Sequence, residues 1–479
     1  MNKIIAKLKT NKKKMPELII KELRCGLFDK IYVVFLETTS SGDKINDYIL
    51  KNLVNYHKKI DANSLKDYIA GPNTKVITEE DIFYYISNGF TCVILDEMIC
   101  AVETRADINR SISSPNSEPS LTGPKDAFTE NYQMNVGLIQ KRLKDENLTI
   151  ENFDIGRRTK TKIGVLYLCD IAEEELVENL RDKINKIDID GLIDSAELSL
   201  LLESNDKTSF PTIIKTERPD VVCKALLEGK VVISVDTSCF ALILPAFFID
   251  FINPSADAYS KKSNINFVKI LRIVCFVISM LVPAVYIAII NYNQETIPTS
   301  LLINFSIQRD GVPFPAIVEA IIMIILCEIL RESDLRFPNS YGSAISILGA
   351  LILGEAAVSA GIVSPIMIIV IAFTFITSLI FTEYELINAL RHYRFIFLFG
   401  AAIYGILGII FASLYFLANI NSTYSFEKPY FFPIAPYGKE YIFKTFLKRR
   451  TVDDNKRSEM LTQKNLTKQR SNLWKKYLF

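Results

Sequence analysis

The stretch Ser343 to Thr382, SAISILGALILGEAAVSAGIVSPIMIIVIAFTFITSLIFT, holds one ionisable side chain, Glu355, in forty residues. About 20 apolar residues cross a bilayer, so forty are enough for two crossings. Gly361-Ile362-Val363-Ser364-Pro365 supplies the break between them. The stretch reads as a hairpin of two membrane helices, 344–361 and 365–382, with Glu355 deep in the first. A carboxylate at that depth faces a bundle interior or a water-filled path. Small residues around it, Gly349, Ala350, Gly354, Ala356, Ala357, Ser359 and Ala360, let another helix or a narrow axis come close.

Outside this hairpin, Ile273 to Ile290 and Phe395 to Ala418 are uncharged and long enough to span. Ala316 to Leu330 is shorter and carries Glu319 and Glu328, which suits a re-entrant helix. Phe240 to Ile252, interrupted by Pro245 and Asp250, reads as interfacial. An even number of spans would keep both ends on one side, in line with the positive-inside tendency. Four spans plus the re-entrant helix satisfy this, with six spans as the alternative. Pro283 in the first span reads as a tolerated helix proline, and Gly400, Gly405 and Gly408 as close helix packing.

The first 230 residues look like a soluble protein. The N-terminus is basic with no apolar segment behind it, so this part is expected in the cytoplasm. Strands at 31–36, 91–95, 162–168 and 231–235 alternate with helical periods, which gives two small α/β units. The boundaries read 1–108, a Ser/Pro-rich linker at 109–127, 128–238, a membrane domain at 239–425 and a basic tail at 426–479. The fold class is thus α/β followed by an all-α polytopic membrane domain. A net charge of +1 argues against nucleic acid. No glycine-rich phosphate loop follows a strand, the eight cysteines include no C-x-x-C pair, and His57 and His392 stand alone. No cofactor, metal or enzymatic chemistry is expected.

Three groups carry candidate chemistry. Glu355 and Glu319, with Ser359 and Ser364, are candidates for an ion path; the structural alternative is a protonated, internally bonded carboxyl. Glu328, Arg331, Glu332 and Arg336 crowd one helix end at neighbour spacing, as a gating element or as an anchoring charge cluster. The tail from Lys444 has eleven Lys or Arg against three acidic residues. Lys448, Arg449, Arg450, Trp474, Lys475 and Lys476, with Leu466 and Leu473, suit a helix on an anionic membrane surface or a solvated tail.

The motif order resembles the A subunit of the GerA family of spore germinant receptors. The residues concerned are Gly123-Pro124-Lys125-Asp126-Ala127-Phe128, Leu138-Ile139-Gln140-Lys141-Arg142, Arg218-Pro219-Asp220 and Leu227-Glu228-Gly229-Lys230. They continue with Val312-Pro313-Phe314-Pro315, Glu328-Ile329-Leu330-Arg331-Glu332, Leu353-Gly354-Glu355-Ala356-Ala357 and Pro429-Tyr430-Phe431. Thr122, Lys125 and Lys269 stand where the family commonly has arginine. The resemblance implies two thioredoxin-like cytoplasmic subdomains without redox cysteines. It also implies a homo-oligomeric ring in the spore inner membrane that passes monovalent cations when a nutrient binds. A transporter-like B subunit and a lipoprotein C subunit would be partners. A secondary transporter, a membrane scaffold and a germination-amplifying paralogue are the competing readings.

Overall fold

The protein is described by a computed structural model covering residues 2–25, 29–54, 65, 69, 71, 73–96, 98–106, 115, 118, 123–203, 208–336, 354–438, 442, 446–447 and 454–468. Helix α1 (Asn2–Lys14) precedes β1 (Leu18–Cys25) and β2 (Asp29–Leu36). A helical stretch α2 (42–54), β3 (Thr74–Ile77), α3 (Ile82–Ser87), β4 (Phe90–Leu95) and β5 (Met98–Glu103) complete the first unit. The second has α4 (Tyr132–Arg142), β6 (Leu148–Ile155), β7 (Thr161–Leu168), α5 (Glu174–Lys186) and α6 (Ser195–Leu202). It closes with β8 (Ile214–Thr216), α7 (Pro219–Glu228), β9 (Val231–Val235) and β10 (Ala241–Leu244).

The two sheets have the same order, β1-β2-β4-β5-β3 and β6-β7-β9-β10-β8, so the second unit repeats the first. Every ladder within them is antiparallel. A thioredoxin-like unit is built around a βαβ crossover, which makes a parallel pair. Among the described residues no parallel pair occurs, and the thioredoxin-like expectation is corrected accordingly.

Strand alternation places the two faces of each sheet in different cores. Val34 and Leu36 of β2 and Val232 of β9 share one core with Ile5 and Leu8 of α1, Ile86 of α3, Val136 of α4 and Leu226 of α7. Ile31 and Val33 turn instead to α2, and Val231, Ile233 and Val235 turn to α5 and α6. Helices α1, α3, α4 and α7 are thus sandwiched between the sheets. Asp126 and Arg142 join the linker to α4 through both guanidinium–carboxylate contacts, 2.5 and 2.6 Å. Arg218, fully buried, grips Asp220 with two nitrogens, Nε and one terminal nitrogen, each on a different carboxylate oxygen. Gly229 ends α7 with φ 97°, the left-handed geometry that favours glycine.

The helical part begins with α8 (Phe248–Ile252) and the 31-residue α9 (Lys262–Tyr292), followed by α10 (Thr299–Arg309) and α11 (Ala316–Arg336). Then come a short helical piece at 354–359, α12 (Pro365–Ser378), α13 (Tyr384–Tyr404) and α14 (Ile406–Ser422). Among the described residues α9 is the one helix long and apolar enough to cross a membrane by itself. Tyr292 reaches Ala402 and Ile403, and Arg394 reaches Ser279, so α9 and α13 run parallel. Phe276 meets Phe381, so α12 runs against α9, and α11 lies alongside α12 with Arg331 over Phe375.

Three readings change. Ala241–Leu244 is not part of an interfacial segment but a buried internal strand, so the second sheet runs past residue 238. The stretch 316–330 is part of a 21-residue helix. The span read at 395–418 is two antiparallel helices turning at Gly405, φ 59° and ψ −134°. There a Cβ on Gly408 would lie 1.8 Å from the Gly400 carbonyl oxygen. The described tail departs as well. Residues 454–468 fold onto the second unit, where Arg457 donates to the Leu227 carbonyl at 2.6 Å and Lys468 pairs with Glu228 at 3.2 Å. Lys448, Arg449, Arg450, Trp474, Lys475 and Lys476 lie outside the described residues.

The α13–α14 hairpin gives a direct test. Gly408→Ala places a methyl against backbone that cannot yield, and overpacking of this kind costs about 1–3 kcal/mol. The melting temperature of the purified full chain should fall well below wild type, while Gly354→Ala, where a Cβ meets nothing within 4 Å, should leave it unchanged.

Candidate functional site

Glu319 is completely buried, one turn into α11. One of its oxygens accepts from the Ser364 backbone N–H at 2.9 Å and from the Ser364 hydroxyl at 2.7 Å. Ser364 immediately precedes α12, whose Pro365 has no N–H to offer. The carboxylate therefore caps the positive end of a helix that starts inside the bundle. The second oxygen has no hydrogen bond and lies 3.6 Å from Nε of Arg309, the last residue of α10. The loops at both helix breaks touch here, since a Cβ on Gly361 would sit 3.1 Å from the Gly311 carbonyl. Tyr286 of α9 contributes its hydroxyl from the side, facing Ser364.

Two of the four ion-path candidates, Glu319 and Ser364, are thus brought together across 45 positions of sequence. Glu355 and Ser359 are exposed, one helical turn apart on the piece that leads into Ser364. Arg309 and Tyr286 were not legible as partners. Neither forms a motif with Glu319, and helix-neighbour spacing cannot reveal a contact between loops.

A second polar centre lies on the same helix. Glu328 is held by Arg331 of its own helix, by Arg391 at 3.3 Å, and has Arg394 at 3.9 Å. Arg394, buried, also donates from Nε to the Ser279 carbonyl at 2.9 Å. That carbonyl is four residues before Pro283, so the helix has no N–H for it. Pro283 is therefore more than a tolerated residue: it frees the acceptor that fixes Arg394. The cluster of Glu328 and Arg331 recruits two arginines from α13. The side chain of Arg336 lies outside the described residues, and Glu332 is exposed.

The α/β part meets the bundle through an aromatic and ionic seam. Phe210 stacks on Tyr393 at 5.2 Å, and Phe248, Phe416 and Tyr430 surround it. Lys215 of β8 pairs with Glu385 at 2.5 Å, and Lys230 of the second unit with Asp250 of α8 at 2.6 Å. Beside them a cavity of about 210 Å³ is lined by Glu118, Arg218, Lys224, Lys230, Asp250 and Glu383 among others. Burial pushes the Glu383 carboxyl up to about 7, helped by Glu118 and Glu385 and opposed by Lys215. Burial also raises Glu118.

Comparisons with known proteins agree on one family. The sequence model described as "Bacillus/Clostridium GerA spore germination protein" matches residues 6–460. The chain is 34% identical over 478 residues to spore germination protein KA of Bacillus subtilis, covering 98% of this chain and 88% of that one. It is 33% identical to spore germination protein B1 of the same organism over 85% of each chain. A solved structure, the N-terminal domain of the A subunit of the Bacillus megaterium spore germinant receptor GerK3, is 27% identical. It covers 51% of this chain and 94% of that chain, with a TM-score of 0.40.

The seam predicts a pH response. A carboxyl that binds its proton more tightly folded than unfolded costs nothing below its ordinary 4.5 and destabilises increasingly as pH rises through about 7. The melting temperature of the full chain should fall between pH 5 and 8, and Glu383→Gln should flatten that decline. An unchanged slope in the variant would assign the response to other groups.

Proposed function

Because the chain belongs to the GerA family of spore germination proteins, the A subunits of germinant receptors, we propose that it forms a homo-oligomeric, nutrient-gated cation channel in the spore inner membrane. Glu355 is the observation that carries ion passage. It stands exposed on a short helix among Ala356, Ser359 and Ala360, in a stretch otherwise free of charge. A carboxylate in that setting cannot face lipid without a large cost. A second copy of the chain, or a water-filled axis between copies, removes the cost. A ring of such carboxylates would then attract cations. Glu319 and Ser364 would lie on the same path, inside each subunit.

On this reading α9 and α13 run outward from the cytoplasmic side and α11, α12 and α14 run back. These are five passes, and both ends on one side would require a sixth, the six-span alternative of the sequence reading. Both cytoplasmic units and the tail then share one side, the spore core. The transporter-like B subunit and the lipoprotein C subunit that the family resemblance implies would supply nutrient recognition and completion of the receptor, and the basic residues Lys448, Arg449, Arg450, Lys475 and Lys476 would meet anionic lipid.

Flux of monovalent cations into liposomes carrying the receptor tests the reading. Glu355→Gln keeps shape and hydrogen bonding, so assembly mass should match wild type while cation flux drops several-fold. Glu355→Lys should assemble and exclude cations, because like-charge repulsion is strong in a low-dielectric passage. Wild-type flux and selectivity in both assembled variants would remove Glu355 from the path.

A further inference from the structure

Three polar atoms around Glu319 have no hydrogen-bond partner: Glu319 Oε1, Arg309 Nε and the Tyr286 hydroxyl. Unpaired buried polar atoms are expensive, so three gathered at one place call for an occupant. With Arg309 present the charges are −1 from Glu319, +1 from the guanidinium and about +0.5 from the α12 N-terminus. A neutral molecule accepting from Arg309 and donating to Glu319 would suit this arrangement.

The balance changes when Arg309 leaves. Glu319 and the helix terminus then sum to about −0.5, and the oxygens of Glu319, Tyr286 and Ser364 line the space the guanidinium vacated. Oxygen donors with a small residual negative charge suit a monovalent cation, held weakly enough to move on, as conduction requires. Arg309 is also on an element that can move. Helix α10 has no buried residue, while Leu301, Ile303 and Ile307 are exposed on it, and it joins the rest of the bundle at its two ends.

We propose that Arg309 is a tethered cation occupying a monovalent-cation site built from Glu319, Ser364 and Tyr286, and that withdrawal of α10 exchanges the guanidinium for a free cation. The proposal rests on the ion-path reading above and gives that path a resident plug. It is distinct from the Glu355 ring, which acts between subunits; this site is complete within one chain.

The test measures binding, not flux, so its failure is separable from failure of the channel reading. The full-length chain in detergent is melted in KCl, NaCl and N-methyl-D-glucamine chloride at equal ionic strength, with the large organic cation as the one that cannot enter. Wild type should melt alike in all three. Arg309→Gln should melt several degrees higher in KCl or NaCl than in the organic salt, and the gap should vanish in the double variant R309Q/E319Q. Arg309→Lys, which keeps a tethered charge, should behave as wild type. Parallel purification of R309Q in KCl and in the organic salt keeps the result decisive for a weak variant. Recovery of folded protein only in KCl supports the site. Recovery in neither overturns the proposal, because a cation able to replace the guanidinium would have filled the site. Identical melting of R309Q in all three salts also overturns it and leaves Arg309–Glu319 a structural pair.

Discussion

An apolar bundle cannot leave the backbone of a broken helix unpaired, and the helical half of this protein is organised around that constraint. Among the described residues, three interruptions are each closed by a side chain from another helix. The start of α12 receives the Glu319 carboxylate at the Ser364 N–H. The carbonyl that Pro283 strands at Ser279 receives Arg394. The carbonyls of Ala402 and Ile403, before the turn at Gly405, receive the Tyr292 hydroxyl at 2.7 and 2.8 Å. Since each closure joins helices distant in sequence, satisfying the backbone and fixing the tertiary arrangement are one act.

Two of these closures bring charge inside, and charge brings its own demands. A buried carboxylate or guanidinium needs a counter-charge or it destabilises strongly, by roughly 3–5 kcal/mol when a partner is removed. Glu319 thus requires Arg309 or something that replaces it, and Arg394 requires Glu328. The functional centres therefore grow from a structural need. A residue recruited to cap a helix becomes a site once its second oxygen remains unfilled, as Oε1 of Glu319 does.

Much of this was legible in sequence as a location and little as a partnership. Glu355, Glu319 and Glu328 stand out because ionisable residues are rare in apolar runs, and Gly361 to Pro365 announces a break. Ser364 lies 45 positions from Glu319 and Arg391 lies 63 from Glu328, in other elements, where no periodicity connects them. The turn at Gly405 was hidden because both flanking helices are apolar there, so hydropathy runs on unbroken while the backbone reverses. Strand β10 was hidden because Ala241 to Leu244 is as apolar as a membrane segment, and only its pairing with β8 and β9 distinguishes the two. The α/β units themselves were recovered from alternation, but their duplication was not, since it lies in strand order and not in residue identity.

The route from the α/β units to the buried charges is short. Tyr393 stacks on Phe210 of the second unit, and its neighbour Arg394 holds both the Ser279 carbonyl and the approach to Glu328. Adjacent residues on a helix point about 100° apart, so a single turn of α13 faces the seam on one side and the charge cluster on the other. Lys215–Glu385 and Lys230–Asp250 tie the same seam at further points. A displacement of the second unit can leave Arg394 in place only by breaking the Phe210–Tyr393 stack and the Lys215–Glu385 pair together. Packed aromatic contacts are discrete and not elastic, so motion at this seam reaches the bundle as a shift of α13 as a body. The cavity beside the seam, lined by both acidic and basic side chains and holding Glu383 pushed up to about 7, makes the same junction the place where protonation and domain position are physically joined.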